Sequence, residues 1–285
     1  MAVIEAWQGE NVTMIEIERQ LARMRTTTNA ESPRPTQRTS VMTHIAWVPP
    51  PWVEAAERTL EGMEDSHPSR TIALVPLPDE VPGLDVNLSV RCFTSDSDQS
   101  VASEVIWLRL RGDRTVAPAS LVLPLALSDL PIFLRWRGEP PFGASHWEQL
   151  VDITDRVVVD SSEWDELRYR ELSEVFEHAA VSDIAWARTY DWRVKLANLW
   201  PAIAEQEIRV RGPRAEAALL RGWLASRLRR TMRPVEPAGE LGVRLGGEDL
   251  RAPPEPARSS SELLSAELDR FGRDRIYEDA VLATV

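Results

Sequence analysis

The segment His67-Pro68-Ser69-Arg70 sets an imidazole, a hydroxyl and a guanidinium within four positions. Pro68 keeps His67 out of the helical region and stiffens the turn. Such a loop suits a phosphate or the carboxylate of a partner, and it equally makes an ordinary helix stop ahead of a strand. Asp160-Ser161-Ser162 follows the apolar run 156–159 and precedes a helical pattern. At the carboxyl end of a parallel strand that is where ligands bind; N-capping explains the same residues as well. Together the two segments would make a sugar-phosphate-binding or catalytic site.

Other reactive side chains are sparse. The single cysteine, Cys92, ends an alternating run with Val86, Leu88 and Val90, which puts it on an apolar strand face. Histidines 44, 67, 146 and 178 stand at no spacing that makes a metal pair with another His or with Cys. Asp152, Asp155 and Asp160 read as loop and capping acids. No dinucleotide-binding glycine fingerprint, Walker loop or nucleophile elbow occurs. Residues 209–233 hold eight arginines against one acid, Glu216. This charged ridge has three candidate partners: an acidic protein surface, the chain's own acids, or RNA. Trp223 lies on the apolar side of its helix, so no stacking platform for bases accompanies the arginines.

The elements that must position these groups can be read from periodicity. Thr13-Met14-Ile15-Glu16 is a capping box, and Met14, Ile17, Leu21 and Met24 repeat at helical spacing. Residues 26–40 are rich in Thr, Ser, Pro and Asn and read as a linker, so the helix before them is expected to be tethered and to fold on docking. Strands are expected at 41–48, 71–75, 86–92, 104–110, 132–136, 156–159 and 207–211, with a short one at 241–245. Helices are expected from Pro50 through Met63, across 121–127, at 145–151, from Ser161 or Ser162 to about 179, from Ser182-Asp183 to about 200, after Pro213, at 262–271 and at 277–283. Helices and strands alternate, so the class is α/β, with mixed sheets flanked by helices. Three segments are expected: an N-terminal helix and linker over 1–40, an α/β domain over 41–165, and a helix-rich α/β domain over 166–285 with a Pro/Ser linker at 252–261.

Composition narrows the partners. The net charge of −12 opposes nucleic acid and acidic membranes. Lys195 is the only lysine, so nearly all positive charge is guanidinium, and there are 11 tryptophans; Arg and Trp dominate interface hot spots. Residues 1–8 lack a basic segment followed by an apolar one, and the apolar stretch 121–134 is too short to span a bilayer. A cytoplasmic protein is the expectation.

An ordered set of segments resembles one family, the glucose-6-phosphate dehydrogenase assembly proteins, OpcA. The set comprises His67-Pro68-Ser69-Arg70-Thr71-Ile72, Ser103-Glu104-Val105-Ile106, Leu123-Pro124-Leu125, and Asp129-Leu130-Pro131-Ile132-Phe133-Leu134-Arg135-Trp136-Arg137-Gly138. It continues with Val158-Val159-Asp160-Ser161, Asp183-Ile184-Ala185-Trp186-Ala187-Arg188 and Trp192-Arg193. The resemblance implies a bacterial accessory protein that binds glucose-6-phosphate dehydrogenase and promotes its assembly or allosteric activation, with no turnover and no cofactor of its own. Redox control by a thiol pair, found in some members, has only Cys92 to work with here. Candidate partner-binding residues are His67, Ser69, Arg70, Trp136, Arg137, Asp183, Trp186, Arg188, Trp192, Arg221 and Arg229. The alternatives are the sugar-phosphate site built from the His67–Arg70 loop with Asp160, and an RNA-binding module at 209–233. The strand placement of Cys92 carries its own test: Cys92→Ser should cost about 1–3 kcal/mol by burying a hydroxyl, measured by denaturant unfolding, with no cost if the thiol is exposed.

Overall fold

The computed structural model describes residues 3–31, 40–63, 69–94, 100–254 and 258–285. The chain is α/β, with one mixed sheet of eight strands and a second sheet of four. It divides into two compact units, Met1–Val157 and Val158–Val285.

The first unit opens with β1 (Val3–Gly9), α1 (Met14–Glu31), β2 (Thr43–Trp47) and α2 (Val53–Glu61), followed by β3 (Arg70–Leu77), β4 (Gly83–Thr94) and β5 (Ser100–Arg111). The short helix α3 (Ala119–Val122), β6 (Ile132–Trp136), α4 (Ser145–Asp152) and β7 (Arg156–Val159) complete it. The strand order begins β1-β4-β5-β3-β2-β6. Strands β5, β3, β2 and β6 run parallel, in registers that set Arg70 beside Glu104 and Trp47 beside Trp136. Strands β1, β4 and β5 form an antiparallel wing. The parallel strands read as nearly continuous apolar runs because both faces are covered. In the wing, Leu84, Val86, Leu88 and Val90 alternate with polar residues and point inward.

The N-terminal segment departs from the tethered helix expected of it. Strand β1, which periodicity did not mark, pairs along β4. Helix α1 continues to Glu31, through half of the stretch expected to be linker. Its predicted capping box is present: Glu16 Oε2 accepts from Thr13 N and Oγ1, and Thr13 Oγ1 accepts from Glu16 N. Thr26 and Thr27 return their hydroxyls to the carbonyls of Ala22 and Arg23, which satisfies them within the helix but does not itself favour it; the tertiary contact does. Arg25 is ion-paired to Glu104 of β5 at 2.7 Å. Ile17, Leu21 and Met24 are buried in the core of the first unit, so α1 belongs to it. His67 lies outside the described residues, as does the side chain of Cys92.

The second unit contains α5 (Tyr169–Val175), β8 (Ala180–Asp183), α6 (Ile184–Arg188), α7 (Tyr190–Ala197), β9 (Ile208–Gly212) and α8 (Arg214–Leu228), then β10 (Glu236–Pro237), β11 (Gly242–Leu245), β12 (Glu248–Asp249), α9 (Ser260–Leu268) and α10 (Arg275–Leu282). The small sheet runs β10-β9-β11-β12. The helix expected from Ser161 to 179 is instead a single 3-10 turn, Ser161–Glu163, an irregular link, and α5. Arg214 ties down the link by donating to the carbonyls of Trp164 and Asp165. The helix expected from Ser182-Asp183 to 200 is two helices. Asp183 caps the first by accepting from Ala185 N at 2.9 Å, and Thr189 ends it by returning its hydroxyl to Trp186 O. Helix α9 starts within the expected linker, at a Ser259–Glu262 capping box. Helices α8 and α10 approach so closely at Gly222 that a Cβ there would meet Ala280 O at 2.2 Å.

Because α1 supplies core side chains, Met24→Ala should cost about 2–5 kcal/mol of unfolding free energy. The α1 amides should be protected from exchange in the free protein. A cost below about 1 kcal/mol, well short of a core truncation, with fast α1 exchange would mean a helix that only docks.

Candidate functional site

In the first unit, segments far apart in the chain meet at one buried carboxylate. Arg70 at the start of β3 donates Nε to Glu104 Oε2 at 2.6 Å and Nη1 to the Leu125 carbonyl at 2.6 Å. Arg25 donates Nε to the other oxygen of Glu104 at 2.7 Å. Beside them, Ser103 Oγ donates to Ser69 O, and the hydroxyls of Ser69 and Thr71 lie 3.3 Å apart. Parallel register puts Arg70 and Glu104 side by side. A buried ion pair persists only when its geometry is good and its remaining atoms are satisfied. Two guanidiniums and a carbonyl meet that condition here. Ser69 and Arg70 are therefore held inward.

Farther along the sheet, Trp47 and Trp136 stack in register with centroids 4.8 Å apart and planes 10° off parallel. Trp147 meets the edge of Trp136 at 4.9 Å, and His146 lies over Trp47 at 5.3 Å. Burial holds the His146 imidazole below its ordinary pKa, favouring the neutral form. Arg137 places its guanidinium 4.6 Å from the centre of the Trp52 ring. Trp136 is thus a core side chain, and Arg137 is nearly buried.

In the second unit, Asp160 and Asp183 sit at the carboxyl ends of β7 and β8. Asp183 Oδ1 accepts from the backbone of Ser161 and Ala185, and Oδ2 accepts from Ser161 Oγ at 2.6 Å. The Tyr169 hydroxyl lies 3.0 Å from Ser161 Oγ, and the Tyr277 hydroxyl reaches Asp183 Oδ2 at 3.5 Å. Arg188 grips Asp160 with both terminal nitrogens, at 3.0 and 2.7 Å, and reaches Glu216 at 3.3 Å. Arg193 stacks on the Trp186 ring at 3.6 Å, and the Trp186 indole donates to Asp274 at 3.1 Å. Trp186 and Trp192 are buried. The exposed tryptophans and arginines expected of a binding surface are, at these positions, packing and pairing groups, because the sheets and α8–α10 cover them.

Most of the arginine ridge is engaged within the chain. Arg209, Arg211, Arg227 and Arg233 pair with Glu207 or Glu236, Asp249, Asp279 and Glu207 respectively. Arg230 donates to the carbonyls of Ala204 and Gln206. Arg221 is half-buried and Arg229 is exposed; neither side chain has a hydrogen bond or ion pair among the described residues. Pattern reading missed Arg25, Tyr169, Glu216 and Tyr277. Glu216, as the one acid among eight arginines, was the only one with a signal. Among the described residues, no group of three His, Cys, Asp or Glu side chains is arranged to hold a metal, and no helix is long and apolar enough to cross a membrane.

Residues 61–174 match the family model described as the glucose-6-phosphate dehydrogenase subunit N-terminal domain, OpcA. The chain is 29% identical over 195 residues to a putative OxPP cycle protein OpcA of Synechocystis sp., covering 62% of this chain and 40% of that protein. It is 30% identical over 179 residues to the protein of the same name from Nostoc punctiforme, covering 57% of this chain and 38% of that protein. A third, from Synechococcus elongatus, is 24% identical over 57% of this chain and 40% of its own length. The chain thus matches about two fifths of the length of these relatives.

Asp183 carries the one titration in the second network that falls near neutrality. Burial first, then the neighbouring Asp160 carboxylate, push its pKa up to about 7, against the hydrogen bonds from Ser161 and Ala185. A pKa raised in the folded state means the native protein holds a proton that the unfolded chain releases. The stabilisation is complete below the unfolded carboxylate range near 4 and is lost as pH rises through about 7. Asp183→Asn keeps the acceptor and cannot ionise. Its stability should be flatter than wild type between pH 4 and 7, read by denaturant midpoints across that range. Identical slopes for the two proteins would show that Asp183 does not titrate there.

Proposed function

With residues 61–174 matching the OpcA family model, we propose that this protein is a non-catalytic accessory protein. It binds glucose-6-phosphate dehydrogenase and promotes its assembly or allosteric activation in the oxidative pentose phosphate pathway. The observation that carries the reading is the match of 61–174 to a glucose-6-phosphate dehydrogenase subunit domain, the stretch whose Ser69–Arg70, Ser103–Glu104 and Leu125 build the first unit's interior. A partner of that kind implies a cytoplasmic location.

The polar side chains that looked reactive support a scaffold. The guanidinium of Arg70 is engaged by Glu104 and Leu125 O, and that of Arg188 by Asp160 and Glu216. A sugar phosphate taking either arginine would have to displace a carboxylate already in place. Six of the eight ridge arginines, including Arg214, are held by intrachain acids or carbonyls, which leaves little charge for an RNA backbone.

An activator without chemistry of its own must bind the competent form of its enzyme more tightly than the incompetent one. A hundredfold population shift needs about 2.7 kcal/mol of differential binding, within reach of one or two well-placed side chains. Stoichiometric addition of this protein should raise kcat or lower KM of the cognate dehydrogenase, and the two should co-elute on size exclusion. Unchanged kinetics with no co-elution would sink the proposal.

A further inference from the structure

The second unit carries a groove that none of the networks above uses. It lies between α8 and the segment 232–238 and has a volume of about 600 Å³, within the range of pockets that take a ligand. Leu167, Ala218, Met232, Val235 and Pro237 are among the residues that make its walls mainly apolar. The ionisable side chains lining it are Arg214 and Arg221, with no acid. Arg214 is committed to the carbonyls of Trp164 and Asp165, whereas Arg221 has no hydrogen bond or ion pair among the described residues. On the α8 and 232–238 walls the neighbouring acids are engaged elsewhere, Glu216 with Arg188 and Glu236 with Arg209, and Asp165 and Glu166, which precede Leu167, are not among the lining residues.

An apolar trough with one uncommitted guanidinium has a specific complement. In a chain of net charge −12, an acid-free wall is a local inversion that draws a carboxylate and does not repel it. A planar guanidinium beside apolar surface pairs a carboxylate with two hydrogen bonds, strengthened where water is partly excluded. The far wall is stiffened by Pro234 and Pro237, and β10 is tied to β9 in parallel register. Little order has to be gained there on binding.

We propose that this groove is the seat of a segment of the partner protein that presents apolar side chains and one carboxylate, the carboxylate meeting Arg221. The assignment rests on the dehydrogenase-binding reading and adds a place and a chemistry to it. Groove and guanidinium act together: the walls exclude water and the charge sets the register.

The test uses the full chain and the purified cognate dehydrogenase, titrated by calorimetry at low and physiological salt. Ala218→Trp fills the trough without touching charge, Arg221→Glu inverts the charge in it, and Arg229→Glu inverts an exposed charge near the end of α8 that does not line the groove. Thermal unfolding confirms that each variant is folded, and the two groove variants fail independently if one is not. The expected result is a rise in Kd of about tenfold or more for Ala218→Trp and Arg221→Glu, with Arg229→Glu within about twofold of wild type and a weaker salt dependence in Arg221→Glu. Wild-type affinity in both groove variants overturns the groove assignment and leaves the accessory function standing. Equal weakening by Arg221→Glu and Arg229→Glu with Ala218→Trp unaffected also overturns it, in favour of general electrostatic steering. Wild-type self-association abolished by Ala218→Trp, with dehydrogenase binding intact, reassigns the groove to a second copy. No complex with the wild-type protein overturns the function and the groove assignment together.

Discussion

Glu104 brings a carboxylate into the interior of the first unit, and the arrangement around it follows from the cost of doing so. The effective penalty for taking such a charge out of water is several kcal/mol per ion. Arg70 and Arg25 offset it from opposite sides, and the Leu125 carbonyl takes up a further guanidinium hydrogen bond. Each of these groups comes from a different element. One electrostatic requirement therefore aligns β3 with β5, holds the C-terminal half of α1 against the sheet, and positions the chain leaving α3. Removing Glu104 would take the carboxylate from a buried guanidinium, which costs more than the pair contributes.

The second unit repeats the logic with two carboxylates instead of one. Asp160 sits close enough to Asp183 to oppose its ionisation. Arg188 neutralises the first, while serine, tyrosine and backbone donors surround the second. The two units thus use their conspicuous residues internally. The arginine-rich appearance of 209–233 largely dissolves into local pairing, and Arg221 is informative because it is an exception.

How much of this was legible in sequence depended on the range of the forces involved. Apolar strands such as 132–136 and 156–159 were visible because burial on both faces leaves a nearly continuous apolar run, broken only by Arg135 and Arg156. Capping boxes are local and were readable, as at Thr13–Glu16. The course of α1 past Arg25 was not, because its cause is an ion pair to a residue 79 positions away. The break between α6 and α7 escaped for the opposite reason: a single threonine hydroxyl turned inward leaves no periodic trace. Among the candidate site residues, Trp136, Trp186 and Trp192 turn inward, a direction that residue type does not carry. Whether Trp136 or Trp186 faces a partner or the core depends on which elements cover it, and β2 and α10 are remote in sequence from them.

The separation between the ends of the second network has a consequence for biosynthesis. Trp186 donates to Asp274, 88 positions later, and α10 packs into the notch at Gly222. A ribosome delivers β7 and β8 long before it delivers α10, at about 5–20 residues per second. During those several seconds the Trp186 indole and the surface around Gly222 have no lid. Strands β1 to β6 of the large sheet lie within the first 157 residues and can pair during that wait. Translation therefore imposes an order, and the interval before residue 281 emerges is when the nascent chain most needs protection from aggregation.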